Sequence, residues 1–231
     1  HLDLIALATP FGSPARESAD LALDAALRGA TLARRLLGLA RREPVTRELV
    51  DLVAAVHGLL PLLQHAAGGD TKVRVHAAAA LLVSVDPGEL DAALINLAVN
   101  ARAAMPGGGQ LTFAVEPLDL DGPAAAERSL PPGAYVALRV HDTGCGMTEA
   151  VMSRIGEPFF STRAGSEGTG LGVSMVHAFV RQSAGSLQVE SHEGAGSTFS
   201  LILPAVQPVL EQQGTLPIGV PAPLTGSTPL A

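Results

Sequence analysis

The sequence predicts an α+β fold: a two-layer α/β sandwich with a mixed, mostly antiparallel sheet and helices on one face, preceded by part of a helical hairpin. Three observations predict it. Apolar residues recur at steps of three and four over 15–42 and again after Asp86. Apolar and polar residues alternate over Gln110–Glu116 and Tyr135–His141. A last helix is followed by two short strand-like segments, Ser186–Ser191 and Thr198–Leu203.

The elements follow in chain order. After Pro10-Phe-Gly-Ser-Pro14, a stretch from about Ala15 to Arg42 carries the stripe Leu21, Ala25, Gly29, Leu32, Leu36, Leu39. Arg34, Arg35, Arg41 and Arg42 lie toward its C-terminal end, where cations suit the helix dipole. Leu2–Thr9 fits the end of a partner helix. Residues 1–45 therefore read as a helical segment. The sandwich is expected over 46–204. Leu49–Ala67 reads as a helix, and Lys72–Val75 and Leu81–Val85 as strands. Asp86 is a natural N-cap with Pro87 behind it, and the helix they start carries Leu90, Leu94, Leu97 and Ala101 on one face before Pro106-Gly-Gly-Gly109. Residues 118–133 read as a long loop and Leu171–Ser183 as a helix. Residues 205–231, with five prolines and three glycines, read as a linker or tail.

Composition narrows the function. The chain has 231 residues, 47% of them hydrophobic and only 3% aromatic, enough for an aliphatic core. A net charge of −7 argues against a nucleic-acid or anionic-membrane surface. Lys72 is the only lysine and Cys145 the only cysteine, so no internal disulfide is possible and a reducing, cytoplasmic setting is expected. No apolar run is long enough to span a membrane. The first residue is His1 rather than Met, so an excised piece of a longer protein is expected.

Three segments carry the chemistry. Asn96 and Asn100 stand one helical turn apart on one face, where asparagine is a poor helix residue. Asn100 is suited to ligate Mg²⁺; a pair of asparagines bonding loop backbone fits as well. Asp142-Thr-Gly144-Cys-Gly146 ends a strand. A lone carboxylate there can accept from the adenine amino group and would oppose guanine's carbonyl; an ordinary Asp-x-Gly turn is the alternative. Gly168-Thr-Gly170-Leu-Gly172 opens a helix and can offer backbone N–H groups to phosphates, or simply cap that helix. Taken together and in this order, they describe an adenine-nucleotide and divalent-cation pocket. No GxxxxGK[ST] occurs, and the late glycines amid antiparallel alternation do not suit a dinucleotide-binding unit. The seven histidines lack metal-ligand spacing, and no Ser-His-Asp or Cys-His arrangement is legible. Glu157-Pro-Phe-Phe160 followed by Ser161-Thr-Arg163 suggests a lid over 161–168, with Arg163 reaching the terminal phosphate and the phenylalanines anchored in the core.

These residues resemble the catalytic ATP-binding domain of sensor histidine kinases, in the GHKL (Bergerat-fold) superfamily. Leu94–Arg102 resembles its N box, Asp142–Gly146 its G1 box, Glu157–Phe160 its F box, Gly168–Gly172 its G2 box, and Gly194-Ala-Gly-Ser-Thr-Phe199 its terminal strand motif. Arg28–Arg41 resembles the second helix of the dimerisation and phosphotransfer hairpin, as in hybrid kinases. The resemblance implies Mg²⁺ on Asn100 with Asn96 in support. It implies adenine on Asp142, with Gly144, Gly146 and Thr198 among the nucleotide-binding residues. It places the phosphates of ATP on Gly168, Thr169, Gly170, Leu171 and Gly172, with Thr162 and the catalytic Arg163 beside them. It further implies homodimerisation of the full-length protein and a response-regulator receiver domain as partner.

The chain departs from the family at three points. His1-Leu-Asp-Leu lacks the pattern of the family's acceptor histidine, which is expected upstream. Ala103 replaces an aspartate and Gly156 an aromatic. A phosphotransfer or scaffold protein with a decayed nucleotide fold is therefore the rival reading, with another GHKL ATPase behind it.

Overall fold

The structure is a computed structural model that describes residues 13, 46–77, 79–162 and 170–206. The expected helical segment over 1–45 and the tail from 207 lie outside the described residues, as do Arg163, Gly168 and Thr169.

The elements are β1 (Glu48–Asp51), α1 (Leu52–Ala67), β2 (Thr71–Ala77), β3 (Leu82–Val85), α2 (Pro87–Ala104), β4 (Gly109–Leu120), α3 (Gly122–Glu127), β5 (Gly133–Asp142), α4 (Glu149–Met152), α5 (Gly172–Gln182), β6 (Ser186–His192) and β7 (Gly196–Pro204). Five strands form the main sheet in the order β2-β4-β5-β7-β6. Only β2 with β4 is parallel; the other three pairings are antiparallel. The mixed, mostly antiparallel sheet of the α+β expectation is what forms.

Alternation sets the two faces of the sheet. Leu111, Phe113 and Val115 of β4, Val136, Leu138 and Val140 of β5, and Phe199, Leu201 and Leu203 of β7 all point inward and are buried. Against them pack Leu52, Val56 and Leu63 of α1, Leu90, Leu94 and Leu97 of α2, and Val176, Phe179 and Val180 of α5. One aliphatic core thus joins the three long helices to one sheet face, as a two-layer sandwich requires.

Caps fix where the helices begin. Asp86 accepts from the Glu89 amide at 3.0 Å and Pro87 follows it, so α2 starts where the sequence predicts. Asp51 caps α1 in the same way, accepting from the Val53 amide at 3.0 Å. That cap corrects the reading of Leu49–Asp51 as helix. An N-cap residue has extended backbone, and here the extension continues back to Glu48 as β1, paired antiparallel with β3.

Residues 118–133 are also not a long loop. Strand β4 runs on to Leu120, Asp121 caps α3 by accepting from the Ala124 amide at 3.0 Å, and β5 begins at Gly133. Helix α3 lies over the outer sheet face, where Ala125 joins Leu120, Tyr135 and Ile202 in a second small core. Past β7, Ala205 bridges Val83 and the Val206 amide donates to the Leu82 carbonyl, so the sheet contacts reach two residues beyond 204.

Candidate nucleotide site

The site is organised by the C-terminal half of α2. Asn96, Asn100 and Ala104 recur every four residues along one flank, about 6 Å apart at 1.5 Å per residue. Asn96 and Asn100 are half-buried. At the level of Asn100 stands the start of α5. A Cβ on Gly172 would lie 3.2 Å from Asn100 Nδ2 and 3.5 Å from its Oδ1. One turn further on, the strand-end turn after β5 docks on Ala104: the Cys145 amide donates to the Ala104 carbonyl at 2.9 Å, using one of the carbonyls a helix end leaves free. A Cβ on Gly144 would meet Ala104 Cβ at 2.6 Å and Asp142 Oδ1 at 2.8 Å. Gly144 and Gly172 therefore both lie against this one helix, at Ala104 and at Asn100.

Asp142 is 4% exposed, one of the few buried polar side chains of the domain. Its carboxylate accepts from the Gly144 amide at 2.9 Å. Burial pushes its pKa above the ordinary 3.8, and the Gly144 and Ser197 amides and the nearby His141 pull it part of the way back. A buried carboxylate that accepts from one backbone amide keeps lone pairs for a further donor, such as an exocyclic amine.

The turn from 142 to 147 is tied to the β6–β7 hairpin. The Gly194 amide donates to the Cys145 carbonyl at 2.7 Å and the Met147 amide to Ser191 Oγ at 2.9 Å. Gly146 has φ +65° and its α-carbon faces the His192 carbonyl, so a side chain there would overlap backbone. Cys145 is exposed.

Helix α5 has Leu171 at its N-cap and no side-chain cap. The Leu171 carbonyl accepts from Ser174 Oγ at 3.0 Å and from the Met175 amide at 3.0 Å. Eleven residues of aligned peptide dipoles thus begin beside Asn100, with no side-chain cap hydrogen bond from Leu171. Gly170 (φ +63°) abuts the backbone of Phe159, itself at φ +67° and 76% exposed. Phe160 is half-buried and carries Arg154 over its ring at 4.2 Å. Neither member of the phenylalanine pair expected in the core joins it: Phe159 is exposed, and the half-buried Phe160 packs under Arg154 instead. Thr162 is exposed.

Thr198 is not on the Asp142 side of the sheet. Across β5 and β7, Asp142 stands opposite Ser197, and Thr198 opposite His141. The Thr198 hydroxyl lies 3.0 Å from His141 Nδ1, on the outer face. Ser197, 5% exposed, is the hydroxyl on the site's face, and sequence reading missed it. Counting the strand alternation back from buried Phe199 would have found it. A separate cavity of about 170 Å³, lined by Arg47, Val85, Ser183 and Leu203 among others, lies at the far end of α5 and takes no part in this site.

The residues present fit an adenine nucleotide with a divalent cation. The fit rests on the buried carboxylate of Asp142, on Gly144 against Ala104 and Gly172 against Asn100, and on the uncapped start of α5 beside Asn100.

Residues 85–207 match the family of histidine kinase-, DNA gyrase B- and HSP90-like ATPases. Among curated relatives, the sensor kinase CckA of Brucella abortus is 39% identical over 179 residues, 77% of this chain and 19% of its own length. The sensor histidine kinase ZraS of Escherichia coli K12 is 34% identical over 197 residues, 84% of this chain and 39% of its own length. The chain thus spans between a fifth and two fifths of the length of these two relatives. The solved structure of full-length ShkA in complex with AMPPNP superposes with a TM-score of 0.61, covering 88% of this chain and 42% of that one at 22% identity. The mycobacterial sensor histidine kinase MprB gives 0.56, covering 69% of this chain and 97% of that one, also at 22% identity. These two share the fold.

Proposed function

Because the chain belongs to the family of histidine kinase-, DNA gyrase B- and HSP90-like ATPases, we propose that it is the ATP-binding catalytic portion of a two-component sensor histidine kinase. Its substrate is ATP. The γ-phosphoryl group passes to a histidine of the dimerisation hairpin and then to an aspartate of a response-regulator receiver domain. The observation that carries this reading is the meeting of Asn100, the Asp142–Gly146 turn and Gly172 along one flank of α2.

Each residue has a role that follows from its surroundings. Asp142 accepts the adenine amino group. Guanine would set a carbonyl oxygen against a buried carboxylate, and two acceptors facing one another without water are costly. Gly144 and Gly146 let the turn close under the ring. The first amides of α5, with Leu171, Gly172 and the glycines before them, hold phosphate oxygens. Asn100, supported by Asn96, would hold the Mg²⁺ whose charge offsets that of the phosphates during transfer. Arg163 and Thr162 are proposed to face the terminal phosphate. The protein's work is then positioning and charge stabilisation rather than covalent chemistry.

The full-length protein is proposed to be a homodimer acting in the cytoplasm. No helix among the described residues is long and apolar enough to cross a membrane. The sensor-kinase names of the relatives support this reading over a decayed scaffold. Calorimetry of Mg-ATP on the chain and on Asp142→Asn tests it: binding by the first and a loss of at least about 100-fold in the second are expected, as for a site built around one substrate hydrogen bond. Equal affinities would remove the adenine assignment.

A further inference from the structure

We infer that Ser191, in a segment to which the nucleotide reading assigns no role, is the positioning residue that holds the adenine-binding turn in its working shape. The inference rests on that reading and deepens it.

Ser191 lies on β6 directly opposite Ser197 of β7, and Ser197 in turn lies opposite Asp142 of β5. The three stand in one row on one sheet face. The Ser191 hydroxyl accepts from the Met147 amide at 2.9 Å and can donate to the Gly196 carbonyl at 3.0 Å. Its third neighbour is Ser197 Oγ, also at 3.0 Å. A hydroxyl has one proton and two lone pairs. Given to Gly196, that proton leaves the lone pairs to Met147 N–H and Ser197 O–H, and every valence of Ser191 is used.

The consequence is geometric. The turn leaves the sheet at Asp142 and returns toward Met147. Ser191 grips the far end of the turn directly. It reaches the near end through Ser197, which stands directly opposite Asp142 in the β5–β7 pairing. One half-buried hydroxyl therefore fixes the span between the two ends. Gly146 presses on the His192 carbonyl next door, so the turn has no slack on that side. Without the hydroxyl, the Met147 amide loses its acceptor and the Gly196 carbonyl its side-chain donor, and the turn can shift relative to Asp142. Ser191 touches no part of the nucleotide; it acts through Met147 and Ser197.

The test is calorimetric titration of Mg-ADP into the whole chain, unsubstituted, as Ser191→Ala and as Ser191→Thr, each well below its own melting temperature. Ser191→Ala is expected to bind about tenfold more weakly, the equivalent of about 1.4 kcal/mol, with Ser191→Thr returning to within about threefold of the unsubstituted chain. If the alanine form does not fold, Ser191→Cys, which keeps the volume but offers a poor acceptor, carries the same expectation. An alanine form that melts earlier yet binds Mg-ADP undiminished assigns Ser191 to stability alone and overturns the inference. So does a threonine form as weak as the alanine form. Absence of binding by the unsubstituted chain would instead sink the nucleotide reading itself.

Discussion

Replacing Gly172 with alanine separates folding from metal binding. Gly172 is the first residue of α5, and its added Cβ would lie 3.2, 3.5 and 3.7 Å from Nδ2, Oδ1 and Cγ of Asn100. The first distance is tighter than ordinary carbon–nitrogen contact, so the Asn100 amide must retreat by a few tenths of an ångström, and its χ angles allow that. The fold itself should gain, because alanine is a better helix residue than glycine by up to about 1 kcal/mol, of which the first position realises a part. Magnesium asks for near-ideal octahedral ligands at about 2.0–2.1 Å, so a displaced Asn100 oxygen is a poorer ligand. We expect Mg-ADP affinity to fall about tenfold, or about 1.4 kcal/mol. ADP affinity in EDTA should barely change. The assay is calorimetry with and without Mg²⁺, beside a urea melt. An equal loss in both conditions would place the damage on phosphate contacts with the α5 amides, and an undiminished magnesium effect would remove Asn100 from the metal. Either result refutes the reasoning.

Three further outcomes follow. Asp142 ionises above its ordinary 3.8 because it is buried, so the folded protein holds that proton to higher pH than the unfolded chain. Its contribution to stability is therefore greatest below 3.8 and declines as pH rises through the folded value, whereas nucleotide binding, which needs the carboxylate, weakens as pH falls through it; ADP titrations and urea melts from neutral pH downward should show the opposed trends, and Asp142→Asn should flatten both. Gly146→Ala forces a side chain to φ +65° and into the His192 carbonyl, and should cost more than about 2 kcal/mol by urea unfolding. Leu94, fully buried between α2 and the sheet, should cost about 2–5 kcal/mol as alanine with no change in the magnesium dependence of what still binds.

How much of this was legible in the sequence differs by element. Helix α2 was readable because its signals are local: Asp86 caps, Pro87 presets the first turn, and Leu90, Leu94 and Leu97 mark a single stripe. Strand β4 was readable because Leu111, Phe113 and Val115 alternate with less buried residues, and β5 because Val136, Leu138 and Val140 recur every second residue, although Tyr135 and Ala137 are buried on the other face. Strand β1 was not, since Leu49, Val50, Leu52 and Val53 continue the apolar run across the cap, and only pairing with β3 makes the first of them extended. Helix α3 had its signals, Asp121 followed by Pro123 and an alanine run, but its burial on the outer face depends on Tyr135 and Ile202 from distant strands.

The candidate site shows the same division. Asn100, Asp142 and the glycines were visible as types in an order. Their meeting at Asn100 and at Ala104 comes from the way α5 and the strand-end turn dock on α2, which no local pattern states. Thr198 and Ser197 differ by one residue, and one residue in a strand exchanges faces; the burial of Phe199 and Ser197 decides which of them stands beside Asp142.

The most direct measurement is a titration of the isotope-labelled chain with Mg-ADP, following the Gly144 and Gly172 backbone amides and the Asn100 side-chain amide by NMR. The account predicts that all three signals move together, on one saturating curve with one dissociation constant. Signals that move separately, or that stay fixed while ADP saturates elsewhere on the surface, would contradict it.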